Sequence, residues 1–205
     1  MSIESGNLKK FDVNQNGLIE VLNKAISKIK DNEYVKIDYG RVERGSQKPE
    51  RVFVAELYHQ LRCIQESNKH SILKDLKFNV EINKQGDLIT GVKFIDNYKI
   101  KRVVPDLILH YHQNNTNSKM QQLVCEVKSS YCITKVNFEK DLVKLLLYKK
   151  SRLKYQNACF IFLGTKKELF NYLMMVYDEL IQLIKENEVI FITHDKNKWN
   201  FYEYK

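Results

Sequence analysis

The sequence predicts an α/β domain in which a central mixed β-sheet is flanked by helices. Two observations carry this. Stretches with apolar residues at helical spacing alternate with short apolar, β-branched runs. One run, Ala158–Leu163, is apolar throughout and stops at Gly164, as expected of a strand covered on both faces. The 205 residues, 43% hydrophobic and 29% charged with only 7 Gly and 2 Pro, have the composition of a folded chain that can bury a full core. No repeat, low-complexity tract or linker divides it.

In chain order, Leu18, Ile19, Leu22, Ala25, Ile26 and Ile29 recur at helical spacing and predict a helix over Gly17–Lys30. An extended piece, Tyr34–Tyr39, leads into a basic, glycine-flanked loop at 40–46 that suits either a phosphate backbone or water. Pro49 opens a helix to Asn68, with Glu50 in the first turn where the helix dipole favours an acid. Its buried stripe is expected from Val52, Ala55, Leu57, Leu61 and Ile64, with Glu56 amid them and His59 a turn further on. Phe78–Asn83 alternates as a half-buried strand, Gln85-Gly86-Asp87 turns the chain, and Leu88–Ile95 returns. Val103–Tyr111 and Gln122–Lys128 are two further strands, joined by a turn rich in Asn114, Asn115, Asn117 and Ser118. Asn137 caps a helix over Phe138–Leu153, with Leu142, Leu145, Leu146 and Leu153 to one side. Thr165 caps a second over Lys166–Asn187, whose stripe is Leu169, Phe170, Leu173, Met174, Tyr177, Leu180, Ile181 and Ile184. Val189–His194 is a core strand, and Trp199–Tyr204 reads as an edge strand.

The hairpin of Val103–Tyr111 and Gln122–Lys128 concentrates the chemistry. Asp106 stands just inside its first strand, and Glu126 and Lys128 share one face of its second, with Cys125 and Val127 on the other. Charges in so apolar a segment are costly without a use. Two carboxylates suit Mg²⁺, which keeps several waters, and a lysine beside them can orient a water or meet charge on a phosphate. The alternative is a turn-capping Asp106 beside a solvated Glu126–Lys128 pair. Asp75-Leu76-Lys77 and Glu203-Tyr204-Lys205 repeat the acid-x-Lys pattern, but only the copy at Glu126 follows a Pro-Asp by the length of a hairpin.

Pro105-Asp106 followed by Glu126-Val127-Lys128 resembles the signature of the PD-(D/E)xK, restriction-endonuclease-like nucleases. The succession of elements resembles that superfamily's αβββαβ core, here over residues 49–164, with 1–48 as an N-terminal extension and 165–205 as a C-terminal helix and strands of a single domain. The resemblance implies a Mg²⁺-dependent deoxyribonuclease, with Mn²⁺ as a substitute metal, that hydrolyses phosphodiester bonds by an activated water. Asp106, Glu126 and the Val127 backbone carbonyl would hold the metal, with Glu56 as a further ligand, directly or through water. Lys128 would serve the water, and Glu56 on the preceding helix, with Glu50 as the fallback, would complete the catalytic set. Asp141, Lys144 and Tyr148 share one side of the Phe138–Leu153 helix. A related subset carries Gln-x-x-x-Tyr there, and Lys144 stands in the glutamine's place. The DNA contacts implied are Lys144, Tyr148, Lys149, Lys150 and Arg152; a solvated basic face is the alternative.

A net charge of +9 favours a polyanionic partner such as DNA. No apolar run reaches the length of a membrane span, and the N-terminus lacks the pattern of a signal peptide. Cys63, Cys125, Cys132 and Cys159 form no CxxC pair and read as reduced core residues of a cytoplasmic protein rather than a zinc site. Double-strand cleavage would favour a homodimer, although no segment declares an interface. The readings from other classes are a non-catalytic nucleic-acid-binding or nuclease-like subunit of a larger complex, and a metal enzyme on an unrelated α/β fold.

Overall fold

The computed structural model of the chain describes residues 7–29, 49–67, 71–80, 104–111, 120–130, 133–150, 154–195 and 198–205. Within them runs a mixed sheet of seven strands: β1 (Leu8–Lys10), β2 (Lys77–Val80), β3 (Leu107–His110), β4 (Gln121–Ser129), β5 (Asn157–Leu163), β6 (Ile190–Asp195) and β7 (Lys198–Tyr204). Their spatial order is β1-β7-β6-β5-β4-β3-β2. The pairs β4–β5 and β5–β6 are parallel, and the remaining neighbours are antiparallel. Helices α1 (Gly17–Ile26) and α2 (Pro49–Glu66) cover one face; α3 (Lys135–Lys150), α4 (Lys166–Leu173) and α5 (Asp178–Glu186) cover the other.

Strand alternation assigns the faces. Leu107, Leu109, Leu123, Cys125 and Val127 pack with α1 and α2, whereas Ile108, Val124, Phe160 and Phe162 pack with α3 to α5. All of Ala158–Leu163 is buried, as its unbroken apolar run requires. Among the described residues, no helix is long and apolar enough to cross a membrane.

Several expectations need correction. Trp199–Tyr204 is not the edge: Leu8–Lys10 pairs with Tyr202–Tyr204 and takes that place. A three-residue strand leaves no readable period. The described part of the N-terminal extension, residues 7–29, packs into the core, and α1 joins α2 in the same apolar cluster. The helix expected over Lys166–Asn187 is two helices broken at Met174–Tyr177. Unbroken, it would run roughly 33 Å, past the roughly 23 Å of the seven-residue strand beneath it. The break exposes Met174 and Tyr177 and buries Val176 instead. Helix α2 buries Phe53 and Val54, while Val52 is half-buried and Ala55 exposed. Helix α3 starts at Lys135, before Asn137, with the Thr134 hydroxyl accepting from the Asn137 N–H. Val80 is exposed on β2, where sheet alternation suggested half-burial. Tyr34–Tyr39, the loop at 40–46, the strand over Leu88–Ile95 with its flanking turns, the 114–118 turn, Cys132 and Arg152 lie outside the described residues.

Candidate active site

The C-terminal half of β4 is where charge collects. Asp106 immediately precedes β3, and the antiparallel register that sets Leu107 opposite Cys125 brings it level with Glu126. One carboxylate oxygen, Oδ2, accepts the Val127 backbone N–H at 2.7 Å, between the two charged residues of Glu126-Val127-Lys128. A residue's N–H and C=O leave a strand on the same side, so the Val127 carbonyl also faces the β3 edge. Glu126 and Lys128 lie at two-residue steps from Val124, on the same face of the strand, and so face α3.

Helix α3 answers them with Asp141 and Lys144, one turn apart. The Asp141 carboxylate holds both lysines, Lys144 Nζ at 2.6 Å through Oδ1 and Lys128 Nζ at 2.7 Å through Oδ2. Lys144 Nζ also donates to Glu126 Oε2 at 3.2 Å. From the other face Glu50, in the first turn of α2, accepts the Ser129 N–H at 3.2 Å and lies 3.9 Å from Lys128 Nζ. Acids and bases thus alternate from Glu50 through Lys128, Asp141 and Lys144 to Glu126, with Asp106 beyond. Four carboxylates face two ammonium groups, which leaves two negative charges when all are ionised.

Burial decides how these groups titrate. Glu126 is 1% exposed, and its Oε1 has no hydrogen-bond partner among the described residues. Burial pushes its carboxyl well above the usual range, the neighbouring Asp106 charge adds to this, and Lys144 offsets only part. Burial also raises Asp106, against the opposing Val127 N–H and the two lysines. Burial alone would lower Lys128, but the charge and hydrogen bond of Asp141, with help from Glu50, carry it above its ordinary value. The same balance, with Glu126 and Asp141 as the anions, raises Lys144. Both lysines are therefore ammonium ions near neutrality.

A divalent cation fits this arrangement by its chemistry. The Glu126 oxygen that lacks a hydrogen-bond partner among the described residues, with the Asp106 carboxyl beside it, is what a hard cation would satisfy. Among the described residues, no three Asp, Glu, His or Cys side chains form a metal-holding group. Two carboxylates and a backbone carbonyl would be the protein's share, with water filling the remaining positions.

Comparison with protein-family models, with curated proteins and with solved structures found no match. The case for function therefore rests on the chain's own geometry.

That geometry gathers Asp106, Glu126, Val127, Lys128 and Lys144 and leaves out other expected residues. Glu56 lies about 9 Å along α2 from Glu50 and roughly 120° around it. There it accepts a hydrogen bond from Gln60 at 2.7 Å, so the acid that α2 sends to the end of β4 is Glu50. His59 is exposed on α2 and lies beside Cys63, its Nε2 3.6 Å from Sγ. Tyr148 is no surface contact for DNA: it is 1% exposed and packs edge-on against Tyr155 at 5.4 Å. Lys149 donates to the Gln156 carbonyl, ahead of the opposite end of the strands, and Lys150 is exposed. Sequence reasoning gave Asp141 no role of its own. Its signal was an acid three residues before a lysine, next to the apolar residues Leu142 and Val143.

Proposed function

We propose that this chain is a metal-dependent endonuclease that hydrolyses DNA by water attack, on a core of the PD-(D/E)xK, restriction-endonuclease-like kind. The observation that carries the reading is the bond from the Val127 N–H to Asp106. It joins the two separated halves of the motif at one point, beside a buried Glu126 oxygen with no hydrogen-bond partner among the described residues. The succession α2, β2, β3, β4, α3, β5, with β4 and β5 parallel, supports the fold half of the resemblance.

Asp106, Glu126 and the Val127 carbonyl would hold Mg²⁺ or Mn²⁺. The bound ion would lower the pKa of a water and stabilise negative charge on the scissile phosphate. Lys128, kept protonated by Asp141 and Glu50, acts as a cation: it orients the attacking water and meets charge on the phosphate, and it does not take the water's proton. Asp141 sets the lysine's position. The net charge of +9 draws the polyanion in, and exposed Lys150 on α3 belongs to that field.

The test is cleavage of plasmid and single-stranded DNA with Mg²⁺, Mn²⁺ or EDTA by the wild type, Lys128→Ala and Asp106→Asn. Metal-dependent cutting that both substitutions abolish, in proteins that remain folded, is the expected result. Cutting in EDTA, or cutting that survives both changes, refutes the assignment. Salt-sensitive DNA binding without cutting would point to a nucleic-acid-binding subunit.

A further inference from the structure

We infer that Lys144 is an internal cation that occupies Glu126 in the metal-free protein and gives that carboxylate up when a divalent ion binds. The inference rests on the metal-site reading above and adds a gate to it. Lys144 is the lysine in contact with Glu126, at 3.2 Å, whereas Lys128 is held by Asp141 and Glu50. A lysine ammonium and a divalent ion placed on one buried carboxylate repel each other at short range, so the two compete. The geometry lets Lys144 yield without leaving the site. Its shorter contact, 2.6 Å, is to Asp141 on its own helix, and that bond holds whether or not Glu126 is released. Its side chain is 23% exposed, so it is not enclosed on every side by the fold. A substrate phosphate is the anion that would replace Glu126 as its second partner. Metal entry thereby converts Lys144 from a stopper into a phosphate contact.

Competition has a signature that a plain metal ligand or a plain phosphate contact lacks. Removing the Lys144 charge should tighten metal binding in the absence of DNA, while a ligand's removal weakens it. Linked sites of this kind typically couple by about 5- to 150-fold, and we expect an effect on the order of tenfold here. The experiment measures Mn²⁺ binding directly, by calorimetry or by the free-ion electron paramagnetic resonance signal, without DNA. It compares the wild type, Lys144→Met, the more conservative Lys144→Gln, and Lys144→Arg. Tighter Mn²⁺ binding by the Met or Gln variant, with Lys144→Arg near or below wild-type affinity, is expected. The second neutral variant guards against misfolding of the first. Mn²⁺ binding that is unchanged or weaker in the folded neutral variants overturns the gate and leaves the metal site standing. No Mn²⁺ binding by any of the four proteins overturns the metal site itself, and the gate with it.

Discussion

Asp141→Asn isolates the residue on which the charge chain hinges. The carboxylate is 7% exposed in its side chain and is shared by two lysines at 2.6 and 2.7 Å. The amide keeps one acceptor oxygen, so its NH₂ is turned on one of the two ammonium groups. Removing one partner of a buried ion pair costs about 3–5 kcal/mol, mostly because the other charge stays behind unpaired. Lys128 and Lys144 retain 21% and 23% of their side-chain surface in solvent, and water recovers part of this. A loss of about 2–3 kcal/mol remains, or roughly 4–12 °C in Tm at about 2–4 °C per kcal/mol for a domain of this size. Urea and thermal unfolding at neutral pH would measure it. The wild-type advantage belongs to the window below the raised lysine pKa values. There the folded state binds its protons more tightly than the unfolded chain, so the advantage shrinks as pH rises through them. Adding Lys144→Met removes one stranded charge, and the double mutant should recover about 0.5–3 kcal/mol relative to additivity. A Tm within about 1 °C of wild type, or strictly additive losses, would refute the claim that Asp141 holds these lysines.

Two further outcomes follow from the same geometry. In EDTA, Glu126→Gln should gain stability relative to wild type as pH rises from the ordinary carboxyl value of 4.5. The wild-type glutamate has its pKa raised by folding, so its burial cost is absent below that value and complete above the folded one. The gain is bounded at about 1–3 kcal/mol by the unsatisfied oxygen, and saturating Mn²⁺ should reverse the order; denaturant midpoints from about pH 5 to about pH 8 would show both. On α2, Glu56→Gln should leave stability within about 0.5 kcal/mol and DNA cleavage unchanged, whereas Glu50→Gln should slow cleavage several-fold by loosening Lys128. Equal rates for the two variants would remove Glu50 from the site.

What the sequence made legible follows from the range of each signal. Residues within one element obey its period, so the shared face of Glu126 and Lys128, and the double burial of Ala158–Leu163, could be read directly. The convergence of Asp106 with Glu126 and Lys128 at one end of the hairpin was anticipated because a hairpin has few registers, whereas the bond from the Val127 N–H to Asp106 was not. Contacts between α2 or α3 and the sheet carry no such constraint. A helix start that shifts by three residues, or a stripe rotated by one position, changes which acid reaches the strand end. Glu56 was favoured over Glu50 on its place in the apolar stretch, yet the first turn of α2 is what meets Ser129. Tyr148 looked like part of a basic face, but α3 packs on β4 and β5 and against α5, and its Leu145–Tyr148 run is buried throughout. The break at Met174–Tyr177 has neither Gly nor Pro to announce it and follows from the size of the sheet.

The two scales of charge in this chain have opposite signs, and that ordering constrains any mechanism. Over the whole molecule the excess is +9, which attracts a polyanion from beyond a Debye length only weakly and from within it strongly. Among the described residues the end of β4 carries two excess negative charges when its four carboxylates are all ionised, and electrostatic forces are strong there because Glu126 is fully buried. A phosphate drawn to the surface would be repelled at that point unless a cation stood there first. Lys144 cannot meet the need alone, since Asp141 and Glu126 already share it. Under the proposed function, metal therefore binds before or together with DNA at this site. Metal affinity should rise in the presence of non-cleavable DNA by the same factor that DNA affinity rises with metal, because the two share one linkage.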